Sequence, residues 1–178
     1  LGHTKGIWVA PRSALVSAEV EFAIWKPQLE CVFTTYEGVK RLVERWPAGQ
    51  KAPRFLCGDE ASRAKTPEAQ RTQALKYLAD QMRQDWPWTD LLMLLMSGSP
   101  APKTPSDWWM QCEILCPGFF SEANLFLFRQ RLGHVVKEEA FEGGGAYNKL
   151  KSWKDSVDRC NVCGEMKDSN KHILTWEG

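Results

Sequence analysis

Short apolar runs alternate with stretches of helical periodicity over the first half of the chain. Four runs rich in β-branched and bulky apolar residues predict strands at 6–10, 31–35, 54–59 and 91–96. Three intervening segments predict helices at 17–25, 36–46 and 67–82, the last with Leu75, Leu78 and Met82 on its inner face. The fourth strand is apolar on both faces, which is typical of a central strand in a parallel sheet.

This alternation of strands and helices favours an α/β fold. Strand–helix–strand units connect through right-handed crossovers, which make the linked strands parallel. In an open parallel sheet the carboxyl ends of the strands meet at one edge, where ligands bind. The residues after the four predicted strands are therefore expected to form one surface, which comprises Arg12, Ser13, Thr34, Thr35, Tyr36, Asp59, Glu60, Ser97, Gly98 and Ser99.

Two adjacent carboxylates, Asp59 and Glu60, stand directly at the end of the third strand. Such a pair suits a Mg²⁺ ion held through water, with the second acid left to orient an attacking water. The other interpretation is that both are ordinary solvated loop charges. Thr66 and Pro67 follow, and both residue types favour the start of a helix.

Composition and charge limit the size of the fold and its possible partners only broadly. With 178 residues, 43% of them apolar, the chain can form one domain with a sizeable core and an appendage. Its 23 basic and 22 acidic residues leave a net charge of +1, so nucleic-acid binding would depend on local charge. Because no run is apolar over about 18 residues and the start lacks a signal-peptide core, we expect an intracellular protein without a membrane partner.

Four segments occur in an order typical of one enzyme family. They are Val9-Ala10-Pro11-Arg12-Ser13, Thr34-Thr35-Tyr36-Glu37, Asp59-Glu60-Ala61-Ser62 and Ser97-Gly98-Ser99-Pro100. In this order they resemble the motifs of the first RecA-like lobe of superfamily 2 helicase-like ATPases of the Swi/Snf type. The resemblance covers residues 6–133 and implies a RecA-like, P-loop NTPase-type open parallel sheet flanked by helices.

The resemblance also implies roles for individual residues. Asp59 would hold the water shell of Mg²⁺ bound to ATP, and Glu60 would polarise the water that attacks the γ-phosphate. Ser97, Gly98 and Ser99 would form the motif that couples nucleotide state to DNA contacts. The backbone of duplex DNA would be contacted, without reading of sequence, by Arg12, Ser13, Thr34 and Thr35. The implied whole is a DNA helicase or translocase with a second RecA-like lobe.

Two departures from the family pattern bear on activity. Ser62 stands where many members of the family have histidine. No phosphate loop of the form G-x-x-x-x-G-K-S/T occurs in the chain. In the family that loop precedes the first matched segment, and here the first residue is not methionine. We therefore expect a fragment of a longer protein that by itself hydrolyses little or no ATP.

A cysteine motif near the end of the chain predicts a small zinc-knuckle-like tail. Cys160 and Cys163 form a C-x-x-C turn, and His172 is a candidate third zinc ligand. The fourth ligand would lie further along the parent chain, and a redox role for the C-x-x-C is the less favoured alternative. Cys112 and Cys116 could contribute, but a reduced core role suits their apolar surroundings better, as it does for Cys31 and Cys57.

The sequence therefore predicts a partial RecA-like lobe over 1–133 and a connector over 134–178 that carries the zinc motif and a short helix at 147–153. Trp25, Trp46 and Trp108 fall at helical spacing and are predicted to pack in the core. A non-catalytic α/β module that binds nucleic acid and is closed by a zinc knuckle is the alternative. A metal-dependent nuclease is less favoured, because no further acid or lysine follows in the required pattern.

Overall fold

The predicted parallel sheet forms the centre of the first of two units, which span residues 1–121 and 122–178. The structure is a computed structural model that describes residues 5–47, 49–99, 101, 104–139 and 146–153. The strands are β1 (Lys5–Val9), β2 (Glu30–Thr34), β3 (Phe55–Asp59) and β4 (Leu92–Met96). They lie in the order β2-β1-β3-β4 and all neighbours are parallel, so the predicted α/β class is confirmed.

Four helices belong to this unit: α1 (Arg12–Trp25), α2 (Gly38–Glu44), α3 (Gln70–Asp85) and α4 (Asp107–Leu115). Helix α1 begins five residues earlier than its periodicity predicted, directly after Pro11. Proline has a backbone already suited to the start of a helix, so α1 can follow β1 without a longer loop. The start of α1 is thereby placed at the carboxyl edge of the sheet.

The core lies between the sheet and α3. Leu75, Leu78 and Met82 are buried, as their spacing predicts. They pack in the same core as the buried strand residues Ile7 and Leu56. Burial of a large aliphatic side chain stabilises the fold by about 1.5–3 kcal/mol. This apolar layer holds the sheet edge, and with it the polar residues that follow the strands, in place.

The prediction that the fourth apolar run is a central strand is wrong for the part of the chain that the structure describes. There, β4 pairs with β3 alone and stands at the end of the sheet. Leu94 and Met96 are 41% and 39% exposed. A run that is apolar on both faces normally belongs inside a sheet, so this edge is suited to a further strand.

The prediction that three tryptophans pack in the core is wrong for two of them. Trp25 is 75% exposed and Trp108 is 46% exposed, while Trp46 is half-buried. Helix α1 has no buried residue and contacts the sheet through Phe22, whose ring packs edge-on against Trp8 and Phe33. Spacing identified a helical face in these segments, but the structure packs a different face inward.

The cysteines among the described residues are unpaired, but the predicted core role is wrong for Cys116, which follows the last residue of α4 and is exposed. Cys57 is buried, Cys31 and Cys112 are half-buried, and Cys116 is exposed. Burial raises the pKa of the Cys57 thiol to about 12, with the neighbouring Asp59 charge adding to the shift. Burial likewise raises the pKa of Cys31 to about 11, so both remain protonated at neutral pH.

The second unit contains α5 (Leu125–Leu132) and an antiparallel pair, β5 (Gly133–Glu139) and β6 (Ala146–Trp153). The helix predicted at 147–153 is therefore wrong: the segment is a strand. Pairing with β5 supplies its backbone hydrogen bonds, and a partner distant in sequence is invisible to local periodicity. Cys160, Cys163 and His172 lie outside the described residues, and the zinc site and the boundary after residue 133 stay predictions.

No helix within the described part of the chain is long and apolar enough to span a bilayer.

The exposed edge of β4 predicts self-association of the isolated chain. An uncharged apolar edge strand is a template for pairing with another chain, and an inserted lysine blocks such pairing. The apparent mass of the isolated chain in light scattering is therefore expected to rise with concentration, and Leu94→Lys is expected to reduce that rise. Val16→Lys is the control, because Val16 is an exposed apolar residue on helix α1, away from any strand edge. An equal effect of both substitutions would show that net charge, and not the edge, is responsible.

Candidate functional site

The structure brings the predicted site residues of four separate segments to one edge of the sheet. Because all four strands are parallel, their carboxyl ends point the same way. Along this edge the order is Thr34 and Thr35, then Arg12 and Ser13, then Asp59 and Glu60, then Ser97, Gly98 and Ser99. The acidic pair thus lies between the chain segments that leave β1 and β4.

Glu60 has an unusual backbone conformation. Its φ of 54° and ψ of 51° place it in the left-handed region, which costs a non-glycine residue about 1–2 kcal/mol. The Glu60 N–H donates to Asp59 Oδ1 at 2.9 Å, and a 3₁₀ turn (Ala61–Ala64) with buried alanines follows. Strain of this kind concentrates at functional sites. Asp59 is half-buried and Glu60 is exposed.

The peptide between the two acids is held by Tyr36. Its buried hydroxyl donates to the Asp59 carbonyl oxygen at 2.8 Å. Gly58 makes room for this contact, since a Cβ there would lie 3.2 Å from the tyrosine oxygen and 2.6 Å from Leu95 Cδ2. Burial, followed by the charge of Asp59, raises the pKa of Tyr36, so the hydroxyl stays protonated and able to donate. Sequence reasoning placed Tyr36 at this edge but did not assign it this positioning role.

The loop after the acids is tied to two helices. Lys65 Nζ lies 3.0 Å from Asp107 Oδ2 at the start of α4, and neither side chain is exposed. Arg71 Nε of α3 donates to the Arg63 carbonyl oxygen at 2.9 Å. Partly buried, hydrogen-bonded ion pairs fix geometry better than exposed ones. These two contacts therefore fix the backbone after Glu60 to helix α4 and to helix α3.

Thr34 and Thr35 have structural partners that the sequence did not indicate. Thr35 Oγ1 accepts a hydrogen bond from the Gly38 N–H at 3.0 Å, at the start of α2. Thr34 Oγ1 donates to the Thr35 carbonyl oxygen at 3.4 Å. A Cβ at Gly38 would come within 2.3 Å of Thr34 Oγ1, so glycine is needed there. Both threonines therefore shape the turn from β2 into α2.

The remaining predicted residues are more open to solvent. Arg12 and Ser13 are exposed in the first turn of α1, which contains no acid. The positive end of that helix dipole adds to the Arg12 charge. Ser97 Oγ accepts from the Ser99 N–H at 3.2 Å, which makes Ser97 to Ser99 a small turn after β4.

Asp59 and Glu60 are the residues of this site that could hold a magnesium ion. No group of three or more His, Cys, Asp or Glu side chains suited to a metal occurs within the described ranges. Mg²⁺ usually keeps several waters and takes only one or two carboxylates together with substrate phosphates. Asp59 and Glu60 supply that number of carboxylates and no more.

Comparison with known proteins adds evidence on the fold. No family model matches the chain, and no curated protein matches it significantly. A solved structure, the Sulfolobus solfataricus SWI2/SNF2 ATPase core in complex with double-stranded DNA, is similar with a TM-score of 0.55 and 18% identity. The match covers 73% of this chain and 28% of that one. At this identity the similarity shows the fold alone, a distant RecA-like α/β fold.

The backbone strain at Glu60 can be measured by comparing the free energies of unfolding of two variants. Glu60→Gly is expected to be about 1 kcal/mol more stable than Glu60→Ala in chemical denaturation, because only glycine adopts the left-handed region without cost. Both variants remove the same carboxylate, so the difference between them isolates the backbone. Equal stabilities would mean that Glu60 carries no strain.

The Tyr36–Asp59 hydrogen bond predicts a pH-dependent effect. Tyr36→Phe is expected to lower the free energy of unfolding by about 1 kcal/mol at neutral pH. The pKa of Tyr36 is raised in the folded state, so its contribution is present below its ordinary value of 10.0 and is lost at higher pH. Between pH 10 and pH 12, roughly, the variant should therefore lose less stability than the wild type. Parallel pH profiles from urea unfolding would contradict the assignment.

Proposed function

We propose that this chain is part of an ATP-dependent DNA helicase or translocase, which couples hydrolysis of Mg-ATP to movement along duplex DNA. The observation that carries the proposal is the assembly of the four motif-like segments at one sheet edge, where the acidic pair includes Glu60 with its left-handed backbone. The distant RecA-like fold supports it. The DNA in the similar structure supports the choice of partner.

In this proposal the two carboxylates have different roles. The half-buried Asp59 would hold the water shell of the metal, and the exposed Glu60 would orient the attacking water. When bound, Mg²⁺ neutralises charge on the phosphates. Tyr36 keeps the peptide between the acids fixed, so the direction of Glu60 is set before substrate binds. Preorganisation of this kind lowers the barrier because the site does not rearrange during reaction.

DNA contacts in this proposal come from the same edge. Arg12 and Ser13 contact phosphates from the exposed start of α1. Thr34 and Thr35 lie beside them: the Thr35 hydroxyl can donate to phosphate while it accepts from Gly38, whereas the Thr34 hydroxyl must first give up its bond to the Thr35 carbonyl oxygen. The turn at Ser97 to Ser99 follows β4, the neighbour of the acidic strand, which suits it to couple the nucleotide site to DNA. Backbone contacts of this type weaken as salt rises.

A phosphate loop from a longer parent protein has a suitable place to dock. The acidic strand β3 has β1 and β4 as neighbours, so an added strand must pair at an outer edge. The outer edge of β4 is one strand from β3, while that of β2 is two strands away. The exposed Leu94 and Met96 favour the β4 edge. We propose that the strand carrying the phosphate loop pairs there, together with a second lobe that completes the ATP site.

The decisive experiment measures DNA-stimulated ATP hydrolysis by the longer protein. Glu60→Gln is expected to lower the hydrolysis rate by about a hundredfold or more while nucleotide still binds, because it removes the group that orients water. Glu68→Gln is the matched control, since Glu68 is an exposed acid that follows the same strand. Unchanged hydrolysis in Glu60→Gln would contradict the assignment.

The 178-residue chain alone is expected to hydrolyse little or no ATP, because it contains no phosphate loop to hold the nucleotide. A phosphate-release assay with Mg-ATP and duplex DNA tests this directly. Clear ATP hydrolysis by the chain alone would contradict the proposal that the phosphate loop of the ATP site belongs to a longer parent protein.

A non-catalytic α/β module that binds nucleic acid is the second candidate. It is favoured by the structural hydrogen bonds of Thr35 and Ser97, which give both residues a role without nucleotide. In this alternative Cys160, Cys163 and His172 bind zinc and close the module. A parent protein that binds DNA but shows no DNA-stimulated hydrolysis would favour it.

A further inference from the structure

A cavity of about 440 Å³ opens at the amino edge of the sheet, opposite the acidic pair. We call it the amino-edge pocket. Its volume falls within the range of about 300–1,000 Å³ that is typical of small-molecule sites. The starts of β1 and β2, the loop before β3 and the residue after α3 form it, and its charged and aromatic lining residues are Lys5, Glu30, Trp46, Lys51, Arg54 and Trp86.

Two cations of this pocket are organised by one indole ring. Arg54 Cζ lies 3.8 Å and Lys51 Nζ 4.3 Å from the centroid of the Trp86 ring. The ring is itself anchored, since Trp86 Nε1 donates to the Ala52 carbonyl oxygen at 2.7 Å. A guanidinium stacked on an aromatic ring keeps its N–H groups at its edge, where they can form paired bonds to phosphate.

A second indole ring supplies a flat apolar surface. Trp46 is half-buried, and its Nε1 donates to the Gln50 carbonyl oxygen at 3.0 Å. That bond holds the ring against the loop which also carries Lys51. Indole faces of this kind stack on nucleic-acid bases with little preference for base type.

The acids around the pocket hold its cations only loosely. Lys5 Nζ lies 3.9 Å from Glu30, and Arg54 Nη1 lies 3.9 Å from Asp90, and all four side chains are at least a third exposed. Exposed ion pairs at this distance contribute little to stability. Lys51 Nζ lies 3.4 Å from the Asp85 carbonyl oxygen, a neutral partner. These cations can therefore turn towards an incoming anion at low cost.

Charged residues at the starts of three neighbouring strands line the pocket in a fixed order. Lys5 pairs in register with Glu30 of β2. On the other side of β1, Arg54 comes directly before the first residue of β3, which pairs with Gly6. The strand starts thus present an acid and then two bases in a row. Glu30 lies on the far side of Lys5 from Arg54. At the other end, Asp90 lies 3.9 Å from Arg54, and the Asp85 carboxylate accepts from the Ala52 N–H at 2.6 Å. A phosphate that binds Arg54 and Lys51 therefore replaces the loose Asp90 contact.

We propose that the amino-edge pocket binds a nucleotide unit, with its base against Trp46 and its phosphate on Arg54 and Lys51. The ligand needs a planar aromatic part for the indole surface and an anionic part for the stacked cations, and a nucleotide combines both. Its source is either a free nucleotide or single-stranded DNA. The site lies at the opposite edge of the sheet from Asp59 and Glu60 and does not depend on the proposed hydrolysis.

Binding is tested on the 178-residue chain by NMR, in EDTA so that no metal-dependent site contributes. Deoxyadenosine monophosphate and a short oligothymidylate are added separately, and the indole N–H signals of Trp46 and Trp86 are followed. Both signals are expected to shift with at least one probe. A shift with both probes identifies the nucleotide unit as sufficient, and a shift with the oligothymidylate alone identifies single-stranded DNA as the source.

Charge variants test the phosphate contact. Arg54→Gln and Lys51→Gln are each expected to weaken binding about tenfold, and Arg54→Lys to recover only part of the loss, because lysine lacks the paired N–H groups. Lys40→Gln is the matched control, since Lys40 is an exposed cation outside the pocket. Glu60→Gln should leave binding unchanged, which separates this site from the proposed ATP site.

Two results would overturn the proposal. One is the absence of shifts at Trp46 and Trp86 with either probe in the wild-type chain, a result that requires no variant to fold. The other is an equal loss of binding in Arg54→Gln and Lys40→Gln, which would assign binding to overall charge.

Discussion

Parallel pairing of β3 between β1 and β4 is the constraint on which the site depends. It gives every strand of the sheet the same direction, so segments far apart in sequence meet at one edge. The acidic pair sits in this row because β3 is an inner strand whose residues Phe55 to Gly58 are buried. The geometry of the pair then depends on two local features, the left-handed backbone of Glu60 and the hydrogen bond from the Tyr36 hydroxyl to the Asp59 carbonyl oxygen.

The two edges of the sheet present different groups. The carboxyl edge presents two acids beside the exposed starts of a helix and a serine turn, while the amino edge presents cations stacked on an indole ring. Strands of five residues separate these edges by roughly 15 Å. That distance lets the two surfaces serve different ligands without direct competition, although the same core holds both.

The exposed side of β4 links the fold to the proposed larger assembly. Its residues are apolar on both faces, yet within the described residues it pairs on one side only. An unpaired edge of this composition is usually covered in a finished fold. This edge is one strand away from the acids, which is why we proposed it as the place where the strand of the phosphate loop pairs.

The sequence by itself determined the α/β class, the four strands within one residue of their ends, the inner face of α3 and the residues that follow each strand. These follow from local periodicity and from punctuation by proline and glycine. Only the tertiary structure decided that β4 stands at an edge, that 146–153 pairs as a strand, and that Trp25 and Trp108 face solvent. The left-handed Glu60, the Tyr36 contact and the stacking of Arg54 on Trp86 also required it. Each of these depends on partners distant in the chain or on a backbone angle set by packing, and neither leaves a periodic signal in the sequence.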